Sequence, residues 1–580
     1  MRSTSNQAEG LLARLEAAKN NFAPGHAHLV AQLLNKLSAI EFSTPYQLIR
    51  FHECLLFLRA FPHAPADITD IERLLNTFHE RVERLHELGA DMSVFDDFDT
   101  SGIAGTTMQD TLSFDVAHWL VRTIPRNVNI AWKDYAEDYE SERARGNIWP
   151  RFIPLLEEDA DVEANIPWQR WLDAARGREP SSQWFLRRFE QLPLPPRQKS
   201  QLYDSLRIPI RWRLGNLKLS RTRNWKTPRR FYFHDAPLIQ RNEVFLEQEL
   251  SRPAPGFEKL SLAEGKSVMQ AIREIMVVRY RELYGTTLGD PGSVLRADLG
   301  RGVVLHFWGL PASRRLPLRA YLAGYTLKNG VPINYIEAIG LCEWIEVGFN
   351  TFYTYRQGET AWIYAQALRC LQALTGATTI SIYPYQIGQN NEEAIDSGAF
   401  WFYRKLGFKS GRRDLQKLCE KEERRIAADP QYRTPPRILK RLAEAHMFYE
   451  LESGTGSLRW ATFSTRNLGL RINHRMAQHF EGDSDKLRAS SRAYVARSLR
   501  VNPSGWAPLP QESFDNWALV LALIPKLARW TPGEKWQLIE ILRSKSSSNE
   551  MRYLRQTQHH SRLRSELLRL GSKSERPDTR

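Results

Sequence analysis

Over residues 1–90, apolar positions return every three or four residues, the spacing that lines up one face of an α-helix. Leu11–Ala18 and His28–Ile40 carry this pattern, and Ile71, Leu74, Leu75, Phe78, Val82 and Leu85 continue it. Pro24, Pro45, Pro62 and Pro65 punctuate the segments, because proline interrupts a helical ladder. No fixed repeat is visible, although a helical array is compatible with the pattern. Residues 91–195 show no steady period, and Pro193, Pro195 and Pro196 mark an expected linker. Ser261–Leu283 returns to helical spacing, with Val268, Ile272, Ile275, Met276 and Tyr280 on one face.

Beyond the turn Gly289-Asp290-Pro291-Gly292 the period changes. Val303–Trp308 is a short apolar run, and Arg319–Leu327 and Val331–Ile339 flank Lys328-Asn329-Gly330. Asn-Gly tolerates the positive φ of a type I′ turn, so this stretch predicts a hairpin. Glu343–Tyr353 is rich in β-branched and aromatic residues and predicts a further strand. Ala361, Tyr364, Ala365, Leu368 and Leu371 predict a helix ending near Gly376. Thr378–Tyr383 then predicts a strand, and Asn391–Arg404 a helix interrupted at Gly398. Strand, helix, strand, helix implies a βαβ crossover with a parallel strand pair. From residue 411 the chain reads as basic helices, among them Leu415–Ala427, Arg437–Tyr449 and Glu534–Arg543, with a disordered tail over 571–580. The expected fold class is α/β (α+β), a mixed-sheet domain over 251–410 flanked by mainly α-helical N- and C-terminal regions. The expected organisation is 1–90 helical, 91–250 mixed but mostly helical with a basic linker over 197–230, the sheet domain, and 411–580 helical.

Composition adds limits. The 580 residues and 17 Trp fit a packed, multi-domain protein. The N-terminus is polar, and the most apolar run, Trp517–Ile524, is far shorter than the ~20 residues a spanning helix needs. Cys54, Cys342, Cys370 and Cys419 are widely spaced, so reduced thiols and a cytoplasmic setting are expected. The net charge is +15, with Lys and Arg dense between Arg197 and Arg230. Such a stripe is either a solvated surface or a contact for nucleic acid or another polyanion. Asp96, Asp97 and Asp99 read as a solvated turn, His559-His560 as part of a solvated basic tail, and no metal site is expected. No G-x-S-x-G elbow, H-E-x-x-H pair or Walker loop is present.

Two pieces of sequence carry a resemblance. Tyr355-Arg356-Gln357-Gly358-Glu359-Thr360-Ala361 falls between a predicted strand and helix, and Ala399-Phe400-Trp401-Phe402-Tyr403-Arg404-Lys405-Leu406-Gly407-Phe408 follows A-x-x-F-Y-x-K-L-G-F. Together they resemble the GNAT superfamily of acyl-CoA-dependent acyltransferases. The resemblance implies a GNAT-like domain that binds acyl-CoA and passes the acyl group to an amine acceptor. It places the cofactor's pyrophosphate on the backbone N–H groups of Arg356, Gln357, Gly358, Glu359, Thr360 and Ala361, where unpaired amides and the helix dipole favour an anion. It makes Asn391 a further cofactor contact, Tyr403 the acid for the departing thiolate, and Glu346 the base. Several departures accompany it, among them a longer stretch from Asn391 to Tyr403 and a strand count before the loop that is hard to match. Glu359 stands where the family has glycine, so its carboxylate would either repel pyrophosphate or turn outward and cap the helix. After Phe408 the family adds one or two strands, whereas this chain reads as helix. The alternative function is a non-catalytic GNAT-fold scaffold that contacts a protein or nucleic acid.

Overall fold

The computed structural model describes residues 2–137, 146–147, 151–153, 168–451 and 458–572. The strands, in chain order, are β1 Thr107–Thr111, β2 Val128–Ile130, β3 Pro209–Arg213, β4 Glu258–Lys259, β5 Leu295–Asp298 and β6 Val303–Trp308, followed by β7 Ala320–Lys328, β8 Val331–Leu341, β9 Trp344–Thr351, β10 Thr379–Ile382, β11 Lys409–Ser410 and β12 Met447–Glu450. The turn between β7 and β8 forms as expected, with Asn329 at φ 47° and Gly330 at φ 80°. Asn329 is wholly buried, and its Nδ2 donates to the carbonyls of Ala60 and Tyr232, each at 2.9 Å. The hairpin tip therefore ties the sheet to the N-terminal helices.

Among the described residues nine strands form one mixed sheet in the order β11-β12-β10-β9-β8-β7-β6-β5-β4. Its pairs are antiparallel except β9 with β10, which are parallel and joined by the helix Thr360–Thr375. β1, β3 and β2 make a separate small antiparallel sheet. The fold is thus mixed α/β, with helical regions before and after the large sheet. One continuous apolar core joins Leu12, Leu33, Phe51 and Phe61 of the N-terminal helices to the sheet and to Tyr364, Leu368 and Leu371. A second surrounds the small sheet, with Phe185, Tyr203 and Trp212 at its centre. A third packs Trp460, Trp517 and Leu554 of the C-terminal region against Leu341 and Trp344.

Four expectations are corrected here. Arg437–Tyr449 is helical only over Pro436–Leu442; Met447–Glu450 is strand β12, because β10 and β11 pair with it on either side. Pro196 does not mark a linker: it opens the helix Pro196–Leu206, where its fixed φ and missing N–H cost nothing. The basic run 197–230 holds that helix and β3, and Arg221 within it is buried. His560 is buried, accepting at Nδ1 from the Leu563 N–H, while His559 is exposed. The expected tail beyond Ser572 lies outside the described residues.

Candidate functional site

β9 and β10 pair only over Trp344↔Thr379, Ile345↔Ile380 and Glu346↔Ser381. β10 then stops at Ile382, and Pro384 opens a short 3-10 turn rather than extending the ladder. β9 continues to Thr351, so its last residues lose their neighbour on one side. A cleft of about 290 Å³ opens where the strands part. Phe349 and Tyr403 line its interior, Arg356 and Thr360 one flank, Asn391 and Glu393 the other, and Tyr335 and Asn350 its front.

The flank with Arg356 presents unused donors. The amides of Arg356 and Gly358 bond back to Tyr353 and Tyr355 within the turn. Those of Gln357, Glu359, Thr360, Ala361 and Trp362 find no acceptor among the described residues. Three of these five belong to the first turn of a 16-residue helix, where N–H groups are orphaned and the dipole is positive. Gly358 is dictated by packing, since a Cβ there would lie 2.6 Å from the Phe61 ring. Ala361 is small and buried, and the Gln357 side chain is exposed.

The Glu359 side chain takes neither of the courses expected for it. It is wholly buried, pairs with Arg301, lies 3.6 Å from the Lys328 ammonium, and accepts from the Ile239 N–H at 3.2 Å. Its carboxylate therefore faces the core, away from the turn that its backbone belongs to. Burial lowers the Lys328 ammonium to about 7, against the attraction of Glu359. Burial, then Lys328 and Arg301, lower His234 to about 2, so its Nε2 accepts from the Lys328 Nζ at 2.9 Å.

Asn391 caps the helix Glu392–Asp396 through the Ala394 N–H at 3.1 Å, and its Nδ2 donates to the Tyr385 carbonyl at 3.0 Å. Tyr403 packs edge-on against Tyr364 at 5.6 Å and Phe408 at 5.8 Å. Its hydroxyl has no partner among the described residues, and burial pushes the phenol well above its usual range. It keeps its proton at neutral pH. Glu346 is not among the cleft-lining residues: His446 Nε2 holds it at 2.9 Å and Arg319 lies 3.8 Å away.

Sequence reasoning missed several cleft residues, Glu393, Arg281, Tyr335 and Gln386 among them. Glu393 pairs with Arg356, and Arg281 lies 3.9 Å from the same carboxylate. Asn350 donates to the Tyr335 hydroxyl at 3.1 Å, and Gln386 Oε1 accepts from the Phe349 N–H at 3.4 Å. Glu393 lies close to Asn391 in the chain, a signal that was available; Arg281, Tyr335 and Gln386 carried none. Among the described residues no group of three His, Cys, Asp or Glu is placed to hold a metal ion, and no helix is long and apolar enough to cross a membrane. No protein-family model matches the chain, and neither does any curated protein or any solved structure.

Proposed function

We propose that the chain is a GNAT-type acyltransferase that moves an acyl group from acyl-CoA to an amine. The observation that carries this reading is the parting of β9 from β10 beside the unpaired amides of Gln357 and of Glu359 to Trp362. A pantetheine arm has amide groups of its own and would lie along the unpaired edge of β9 as a strand does. The pyrophosphate would sit against the helix start, with Arg356 as counter-charge. Phe349 and Tyr403 would enclose the thioester, and Tyr403 would protonate the departing thiolate. The pairing of β12 with β10, and of β11 with β12, supports this reading, since the family adds strands after the second motif.

One observation favours the second, non-catalytic reading. Arg356 is already paired with Glu393, which fills the place a phosphate would take. Coenzyme A titration separates the two. On the transferase reading the melting midpoint rises with coenzyme A, reaching about 2.7 kcal/mol of stabilisation at a hundredfold excess over Kd. Absence of any shift at millimolar coenzyme A, in wild type and in Glu393→Gln, leaves only the scaffold reading.

A further inference from the structure

The front of the sheet beside the cleft is partly covered. Glu337 and Ile339 on β8, and Glu346, Gly348 and Asn350 on β9, are each half-buried. Tyr335 and Asn350 form the cleft's front wall, and Glu337 lies one pleat from Tyr335, about 7 Å along the strand. Across the ladder Glu337 faces Gly348, which has no side chain. The Gln386 carboxamide fills that space, 2.7 Å from where a Cβ would stand. Glu337 does not itself line the cleft, and the Gln386 side chain stands between it and the point where the strands part.

Glu337 and Glu346 differ in their partners. Glu346 is engaged by His446 and Arg319. Glu337 has no ion pair among the described residues. Its Oε1 accepts from the Tyr321 hydroxyl, whose oxygen in turn accepts from the Gly285 N–H at 3.1 Å. That arrangement commits the Tyr321 proton to Glu337 and leaves Oε2 without a hydrogen bond among the described residues. Burial raises the Glu337 carboxyl above its usual range, against the Tyr321 hydrogen bond. The other charged groups on this face are Arg281 beside Tyr335, Glu346 with Arg319 and His446, and Glu393 across the cleft. A carboxylate that is largely desolvated, fixed by one oxygen and lacking a cation is a site for an ammonium group.

Resting on the acyltransferase reading, we infer that Glu337 binds the acceptor as a primary ammonium and takes the proton from its nitrogen, with Tyr321 as the positioning residue. One proton passes from R–NH3⁺ to Glu337 and on to solvent, leaving a lone pair on nitrogen. That pair forms the C–N bond to the thioester carbonyl carbon, and the C–S bond breaks with its pair going to sulfur. The thiolate takes the Tyr403 proton, the second nitrogen proton passes through Glu337 to solvent, and Tyr403 regains a proton from solvent. The sum is an amide, a free thiol and one released proton.

The test uses the full chain with acetyl-CoA and a panel of primary amines, following thiol release from pH 6 to 9, with coenzyme A binding measured separately. Glu337→Gln is expected to leave coenzyme A affinity unchanged and to lower kcat at pH 7 by ~100-fold to ~10,000-fold. The loss should shrink as rising pH deprotonates the free amine. Glu337→Asp should keep the wild-type pH profile at a reduced rate, and Tyr321→Phe should shift its acidic limb. A Glu337→Gln enzyme with wild-type rate and pH profile overturns the assignment while leaving the transferase reading intact. Failure of the wild type to bind coenzyme A removes both.

Discussion

Tyr403→Phe removes one hydroxyl and leaves the ring packing against Tyr364 and Phe408 in place. If that hydroxyl protonates the thiolate, kcat for acyl transfer falls by ~100-fold or more while coenzyme A affinity holds, which steady-state kinetics and calorimetry separate. An equal loss of affinity would place the residue in binding instead. Glu359→Ala carries the opposite expectation, because its carboxylate faces the core. It strands Arg301 and Lys328 without their counter-charge and costs about 3–5 kcal/mol of stability in denaturant unfolding. His306 gives a pH signature. It is 7% exposed, stacks on Tyr325, and burial lowers it to about 4 from 6.5. The folded chain refuses a proton that the unfolded chain takes below pH 6.5. Its contribution is therefore complete above that pH and is lost as pH falls toward 4, by about 3 kcal/mol. His306→Phe should flatten that limb of the stability curve. Arg356, Thr360, Asn391 and Tyr403 were legible in the sequence because a strand-to-helix turn and a capped helix fix their direction locally. The direction of Glu359 was not, since Arg301, Lys328 and His234 reach it from distant segments.

The hairpin Lys328-Asn329-Gly330 and the unit β9–helix–β10 could be read from the chain because turn chemistry and a change of period mark them. β12 could not. Met447–Glu450 sits within helix-like spacing and becomes a strand through its ladders with β10 and β11, and β11 is only two residues long. Nor can periodicity show that β10 ends early and lets β9 run on, which is what makes the cleft. At this scale the hairpin is the part to test. Gly330 has φ 80°, and a Cβ there would run into the Lys226 carbonyl oxygen. Gly330→Ala should destabilise the chain by about 1–3 kcal/mol through backbone strain. The substitution would also loosen the Asn329 bonds to Ala60 and Tyr232, so proteolysis should reach the 226–232 segment first. A variant as stable as wild type would mean that the turn relaxes freely.

The charge of the whole chain is the property its sequence describes least well. A net +15 and a basic run suggest an outer stripe, yet Arg221 from that run is buried and joins three parts of the molecule. Its guanidinium donates to Glu53 at 2.6 Å, on the N-terminal helix Pro45–Ala60, and to the Thr354 hydroxyl at 2.9 Å. Thr354 also bonds Glu53, and His52 bonds Thr222 at 2.9 Å. Thr354 belongs to the turn Tyr353–Tyr355, which leads into the segment from which Arg356 and Thr360 line the cleft. The N-terminal helices therefore hold that loop from behind. Burial raises Glu53, but Arg221 and His52 outweigh it and hold the carboxyl down to about 2. The stability this supplies is present above the unfolded value near 4.5 and lost as pH falls toward 2. Glu53→Gln keeps the shape and removes the charge, leaving Arg221 buried against a neutral amide at a cost of about 3–5 kcal/mol. If the turn depends on this pair, amide exchange over 353–362 should accelerate more than in β7 and β8. Coenzyme A affinity should fall on the order of tenfold, about 1.4 kcal/mol, although Glu53 does not line the cleft. A drop in global stability alone, with exchange at 353–362 and affinity both unchanged, would show that the helices support the fold without setting the geometry of the loop.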